Sequence, residues 1–315
     1  MKVLVTGCYG FIPSYLIKEL LDAEYQVVGF GRCTDQRNLA RLHSVKNHPN
    51  LRIVHGDLNG DISGLLEGCD VVVHAAAKTF VDHSILDPEP FIQSNIIGTY
   101  RMLEQARMYQ PRLYIQVSTD EVYGQILTGS YKEDAPLNPR NPYASAKAAS
   151  DLLALSYFTT YKLPVIVTRT ENNCGPYQHP QKAFPVFVKK ALAGESIPVY
   201  GDGGHSRMWL YVADHCGAIM NLITDGIPGN IYHVAGEQEL TNLQLARWVL
   251  KLCGKADTQI TFIPDEKIRP GHDRRYSLSS EKIRSAPVNW KPQYDLEKTI
   301  TETVNWYKDN PWWLV

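Results

Sequence analysis

The segment that most constrains the fold opens the chain: "KVLVTGCYGFIPS", Lys2 to Ser14. A β-branched run ends at Gly7, and a helical pattern follows from Phe11 to Asp22, with Leu16, Ile17, Leu20 and Leu21 on one face. A strand that turns through glycine straight into a helix builds an anion site. Gly7 permits the tight turn, and Gly10 lets backbone approach a pyrophosphate. The N–H groups of Phe11 and Ile12 at the helix start are then free to hold anionic oxygens. Pro13 stands where such turns usually carry a third glycine. Proline is tolerated in a first helical turn, and its ring is expected to set the helix slightly farther from the sheet.

The same alternation continues. "QVVGF", "LRIVHG" and "DVVVHAAA" read as buried strands, and helices are expected over about 88–109 and 142–161, with the strands "LYIQVS" and "PVIVTRT" between and after them. This order predicts an α/β fold, a Rossmann-type doubly wound parallel sheet over residues 1–170. Beyond Glu171, prolines and glycines cluster and the alternation becomes irregular, which predicts a smaller, loop-rich C-terminal substrate domain over 171–207 and 234–315. The strand-like "SRMWLYV" and a helix over 213–223 are expected to return to the first domain, within about 208–233. The tail "NWYKDNPWWLV" carries three of the six tryptophans, expected to cap a core.

Bulk properties narrow the partners. Net charge is −1 and no basic run stands out, so neither nucleic acid nor an anionic membrane is expected as main partner. No apolar segment reaches bilayer length, and with Met1 leading directly into a strand-like run no signal peptide is expected. Six scattered cysteines without a C-x-x-C pair suit reduced thiols in a cytoplasm. The ten histidines show no ligand spacing, so no metal site is expected.

At the end of the second strand an acidic residue would bind the adenosine ribose hydroxyls. Here Gly31 and Arg32 occupy that place. Loss of the carboxylate together with a guanidinium predicts a modest preference for NADP over NAD. Asp57 and Leu58, after the third strand, are placed to meet the adenine edge. Ala75 and Ala76, after the fourth, are small where backbone must pass close to a cofactor.

Tyr143 and Lys147 in "NPYASAKAA" lie four residues apart, on one helical face. A phenol ordinarily ionises only at about pH 10, so it needs a nearby cation before it serves as a base near neutrality. The stretch "YIQVSTDEVYG", Tyr114 to Gly124, ends a strand in two adjacent acids, Asp120 and Glu121. On a continuing strand these would point to opposite faces, so only a turn there aims both at one molecule.

In this combination the chain resembles the extended short-chain dehydrogenase/reductase superfamily, and within it the nucleotide-sugar 4,6-dehydratases, most closely the group acting on dTDP-glucose. The resemblance runs nearly the full length. It is carried most specifically by "TDEVYG" and "RPGHDRRY", and more generally by "TGCYGFI", "HAAAKTFVDHSI", "SNIIGT", "NPYASAKAASD", "TRTENNCGPYQHPQK" and "VYGDGGHSRMWLYVADHC". It implies oxidation of a hexose at C4, loss of water across C5–C6, and return of the hydride to C6. By resemblance Tyr143 is the base at O4, Thr119 bonds O4, Lys147 holds the phenolate, Glu121 is the base at C5, and Asp120 is the acid at the departing hydroxyl. One acid must be ionised and the other protonated, a split that two close carboxylates can establish by mutual repulsion.

The resemblance further implies that Ser94, Asn173, Val117 and Lys78 lie along the cofactor, and that Thr79 and Asn172 meet the sugar. Lys182, Arg207, Asn242, Arg269 and His272 would hold the nucleotide and its diphosphate. Three departures stand out: Cys174 in place of a tyrosine, Lys78 in place of an acid, and Ile268 where an acid normally precedes R-P-G-H. The first is expected to alter packing around the sugar and the last bears on recognition of the base, thymidine first and uridine next. Family members commonly form homodimers through the helices here at 88–109 and 142–161. The competing readings are a nucleotide-sugar 4-epimerase or UDP-glucuronate decarboxylase, which need no acid at position 120, and a catalytically silent binding or scaffold protein.

Overall fold

The computed structural model describes residues 1–264 and 273–315. Its strands are β1 (Lys2–Thr6), β2 (Gln26–Gly31), β3 (Leu51–His55), β4 (Val71–His74), β5 (Leu113–Thr119), β6 (Val165–Thr170), β7 (Asn172–Cys174), β8 (Ile197–Tyr200), β9 (Ser206–Tyr211), β10 (Ile231–Val234), β11 (Glu239–Thr241) and β12 (Ile260–Ile263). Seven form one sheet in the order β10-β6-β5-β4-β1-β2-β3, and every pairing in it is parallel. The doubly wound expectation is met. Side-chain alternation explains why both faces are buried: Val3, Val5, Val71 and Val73 pack beneath the helices Phe11–Asp22 and Val212–Asp225. Leu4, Val28, Val72 and Val165 point the other way, onto Met102, Leu103, Ala154 and Tyr157 of the helices Gly98–Tyr109 and Pro142–Tyr161.

The helical stretch expected over 88–109 is continuous but not uniform. A short α-turn, Glu89–Phe91, leads into a π-helical segment, Ile92–Ile97, before the helix Gly98–Tyr109. The wider turn has a local cause. Buried Asn95 uses its carbonyl to accept from Thr99 Oγ1 (2.6 Å) and Ser150 Oγ (2.5 Å), and its side chain bonds both backbone polar groups of Lys78.

The strand in "SRMWLYV" does not join the large sheet. As β9 it lies between β11 and β7 in a separate three-stranded sheet, while β8 pairs with β12. What returns to the large sheet from this region is the helix Val212–Asp225, against Phe11–Asp22, and then β10 beside β6. A second core gathers Phe184, Phe187, Trp209, Leu245, Val249, Ile300 and Val304 around Trp313. Trp313 is fully buried and its Nε1 donates to the Gln178 carbonyl at 2.7 Å, whereas Trp312 is half exposed. Trp306, partly buried, packs against the same core, so the core-capping expectation holds for Trp306 and Trp313 and not for Trp312.

Candidate active site

The order β4-β1-β2 places the reversal of strand order between β1 and β4, where open α/β sheets open a crevice at the carboxyl ends of their strands. Gly7 sits at that point with φ +73°, and a Cβ there would lie 2.9 Å from the Ala76 Cα. Only glycine allows this approach. Thr6 Oγ1 fixes the opposite wall by accepting from the Ala75 and Ala76 amides, each at 3.1 Å. The helix Phe11–Asp22 begins with no side chain capping it, so its first N–H groups face the crevice uncommitted. Pro13 is buried within that first turn, as its missing N–H allows.

A cleft of about 710 Å³ runs from this turn to the acids. Its walls bring together Gly7, Gly10, Phe11, Ile12, Arg32, Asp57, Leu58, Ala75 and Ala76 at one end, with Thr119, Asp120, Glu121, Tyr143 and Lys147 at the other. Ser94, Val117, Thr79, Asn172, Asn173 and Lys182 line it between. An elongated cleft with a glycine turn and bare helix N-terminus at one end has the shape and donors a dinucleotide requires, so a nicotinamide cofactor fits these residues.

The acids are held by a turn, not a strand. β5 ends at Thr119, whose hydroxyl accepts from the Glu121 amide (3.3 Å) and starts the 3₁₀ segment Asp120–Tyr123. Gly124 closes it with φ +73°, and a Cβ there would fall 2.4 Å from the Asn138 carbonyl oxygen. Asp120 is 4% exposed; its Oδ1 accepts from Thr119 Oγ1 at 3.0 Å, and its Oδ2 is buried without a partner. Burial first, then the charge of Glu121, push the Asp120 carboxyl up to about 7, against the Thr119 bond and Arg207. That is a carboxylic acid able to stay protonated near neutrality. Glu121 accepts from Asn141 Nδ2 at 3.1 Å.

Tyr143 and Lys147 share the helix Pro142–Tyr161, close to the range expected, and Asn141 caps it by accepting from the Ala144 amide at 2.9 Å. Lys147 is buried, and its Nζ donates to the Val117 carbonyl at 2.6 Å. Burial lowers its pKa, with Asp151 opposing. The phenol of Tyr143 is pushed well up, by burial first and then by Glu121, with the Thr119 hydroxyl bond opposing. Lys147 alone does not make a phenolate here.

Several residues fall differently from the sequence reading. Arg32 pairs with Asp57, its Nη1 2.8 Å from Asp57 Oδ2, so its guanidinium is shared with a carboxylate on the same cleft. Lys78 turns its ammonium over the Phe91 ring (6.0 Å) and does not line the cleft. Arg207 and Asn242 also lie off its walls. Arg207 spends donors on the carbonyls of Ser206 (2.7 Å) and Asp273 (2.9 Å), although its charge reaches Asp120. Asn242 opens the helix Asn242–Leu252, its amide bonded to the His205 carbonyl. Lys182 Nζ donates to the Thr79 carbonyl at 2.9 Å. Cys174 is fully buried in the second core, where burial pushes its thiol up to about 12. Arg269, His272 and Ile268 lie outside the described residues.

Sequence reasoning missed three residues on or behind these walls. Asn141 couples the helix cap to Glu121; an Asn directly before Pro142 is the signal that could have marked the cap, and nothing local marks the second bond. Arg41 is 5% exposed on the cleft wall, its Nη1 donating to the Tyr9 carbonyl at 2.7 Å. Glu171 is a third acid of the cleft wall and, like Asp120, is buried, at 4% exposed. Among the described residues no three His, Cys, Asp or Glu side chains gather as a metal site requires, and no helix is long and apolar enough to cross a membrane.

The parallel sheet, the glycine turn at its switch point and the tyrosine–lysine helix beside it define an enzyme of the extended short-chain dehydrogenase/reductase class. The chain belongs to the GDP-mannose 4,6 dehydratase family, whose model matches residues 4–303. It is similar to the dTDP-glucose 4,6-dehydratase of Streptomyces niveus, 41% identical over 99% of this chain and 95% of that one. It also resembles the crystal structure of the dTDP-glucose 4,6-dehydratase DesIV from Streptomyces venezuelae, solved with NAD bound (TM-score 0.94, 40% identity, 99% and 98% of the two chains). The UDP-glucuronic acid 4-epimerase of Bacillus cereus shares the scaffold at 27% identity and TM-score 0.92, over 98% of this chain and 100% of that one.

Proposed function

We propose that this protein is a lyase that converts dTDP-glucose to the 4-keto-6-deoxy sugar nucleotide. The observation that carries the reading is Asp120, a buried carboxyl with a pKa of about 7, sharing one cleft with Glu121 and Tyr143. A 4-epimerase has no hydroxyl to expel and no use for such an acid.

Gly7, Gly10, Phe11 and Ile12 would hold a nicotinamide dinucleotide, which when bound would supply a hydride acceptor for C4 and a hydride donor for C6. Tyr143 accepts the O4 proton while Thr119 bonds the same oxygen. Glu121, held by Asn141, takes the C5 proton made acidic by the C4 ketone. Asp120 gives its proton to the oxygen leaving C6. Lys147, fixed on the Val117 carbonyl, stabilises the ionised phenol.

NAD is the cofactor we assign. The Asp57 carboxylate paired with Arg32 would face a 2′-phosphate with like charge, whereas ribose hydroxyls can donate to it. The nucleotide half of the substrate falls to residues 171–207 and 234–315. Free cysteines suit a reducing compartment. Ile92, Ile97, Tyr100, Met108, Leu152 and Tyr161, all exposed on the two long helical segments, favour a homodimer formed through them.

Incubation with a panel of nucleotide glucoses tests the reading. A 4-keto-6-deoxy product from dTDP-glucose, with slower turnover of UDP- and GDP-glucose, is expected; the C4 epimer as sole product would refute it.

A further inference from the structure

Glu171 stands between β6 and β7, on the cleft wall, and nothing in the reaction described above uses it. Its Oε1 accepts from the Leu278 amide at 2.7 Å, which fixes the carboxyl's orientation. Its Oε2 is buried without a partner. Asp120 Oδ2 is buried and unpartnered on the same cleft. A single unsatisfied carboxyl oxygen in a native interior calls for an explanation; both residues line one cleft and the Asp120 charge acts on Glu171, so a shared partner would explain both. A hydroxyl both donates and accepts, so one hydroxyl seated between them can serve both, provided at least one acid carries a proton.

We propose that Glu171 is a third acid of the site, sharing a proton with Asp120 through the hydroxyl that leaves C6. The inference rests on the dehydratase reading and deepens it. Asp120 protonates the departing oxygen; the C6–O bond breaks with its electron pair on oxygen, and water results. That water lies between the two acids, and through it the Glu171 proton passes to Asp120, leaving the charge on Glu171. Glu121 returns a proton, exchanged with solvent, to C5 as the hydride reaches C6; Tyr143 releases to solvent the proton it took from O4, and Glu171 regains one from solvent as product departs, so the proton count closes. Glu171 is thus a positioning residue for protons, acting through Asp120.

The surroundings agree. Burial first, then the charge of Asp120, push the Glu171 carboxyl well above its ordinary range; the Leu278 amide opposes, Glu239 adds and Arg275 opposes. Glu239 and Arg275 pair with each other and so largely cancel. Asp120 itself is faced by Glu121 and Arg207. The Asp120 charge acts on Glu171, and two acids that interact titrate as a pair, which would hold a proton to higher pH than Asp120 would alone.

The test is Glu171→Gln, which retains an acceptor for the Leu278 amide. With dTDP-glucose, cofactor reduction is followed by absorbance and dehydrated product by quenching, each across pH. The expected result is oxidation within about twofold of wild type, product formation down about tenfold at alkaline pH, and its alkaline limb moved about one unit toward acid. Glu171→Asp, which restores an acid, should move the limb back. An unshifted limb, or equal loss of oxidation and dehydration, would overturn the inference and leave Glu171 a prop for Leu278. If Glu171→Gln does not fold, Glu171→Ser carries the same pH test. Wild-type protein whose cofactor no nucleotide hexose reduces would overturn the dehydratase reading, and this inference with it.

Discussion

The Asn141 side chain donates to Glu121 Oε2 at 3.1 Å while its own oxygen caps the helix that carries Tyr143 and Lys147. One residue therefore ties the elimination base to the oxidation base. Asn141→Ala should cost about 0.5–2 kcal/mol through the lost cap. Asn141→Ser keeps a capping oxygen but loses the amide. It should hold the melting temperature nearly constant while turnover falls about tenfold, by steady-state assay, as Glu121 loses its fixed orientation.

Asp120 has a folded-state carboxyl raised to about 7, above the unfolded value of 3.8. The folded protein then binds the extra proton between those values, so this group's contribution to stability declines as pH rises from about 4 to 7. Asp120→Asn removes that penalty. Thermal melts should show the variant gaining about 2–4 °C at pH 8, the shift expected for about 1 kcal/mol, and little at pH 5. The same variant should lose dehydration while still oxidising C4.

The pairing of Arg32 with Asp57 predicts tighter retention of NAD than of NADP. Asp57→Asn removes the carboxylate and frees the guanidinium, and should narrow the difference by about tenfold in equilibrium dialysis. Tighter binding of NADP by the wild-type protein would restore the preference inferred from Gly31-Arg32 alone.

Gly124 holds φ +73° with no room for a Cβ. Gly124→Ala should cost about 1–3 kcal/mol in chemical denaturation and displace both acids, with oxidation and dehydration falling together.

How far the sequence reaches depends on the range of the interaction. The strand–glycine–helix opening and the helix Pro142–Tyr161 are set by local patterns, a positive-φ turn and an Asn cap before Pro142, and both are legible. The paired acids were legible as needing a turn, and Thr119 supplies it within two residues. Contacts between distant segments were not. Asp57 lies 25 positions from Arg32, and its ion pair reverses the meaning of that arginine. Glu171 looks like the first residue of a loop until Leu278, 107 positions on, pins it on the cleft wall. The β9 run is strand-like either way; only its pairing with β7 and β11 separates it from the large sheet.

Most of the account stands on Glu121 removing the proton from C5 of a C4-oxidised hexose, with Asp120 expelling the neighbouring hydroxyl. Turnover of dTDP-glucose in deuterated water, read by mass spectrometry and NMR, addresses this directly. The account predicts a 4-keto-6-deoxy product with deuterium at C5, and a Glu121→Gln variant that still reduces its cofactor yet exchanges nothing at C5. A product inverted at C4 and free of label would contradict it.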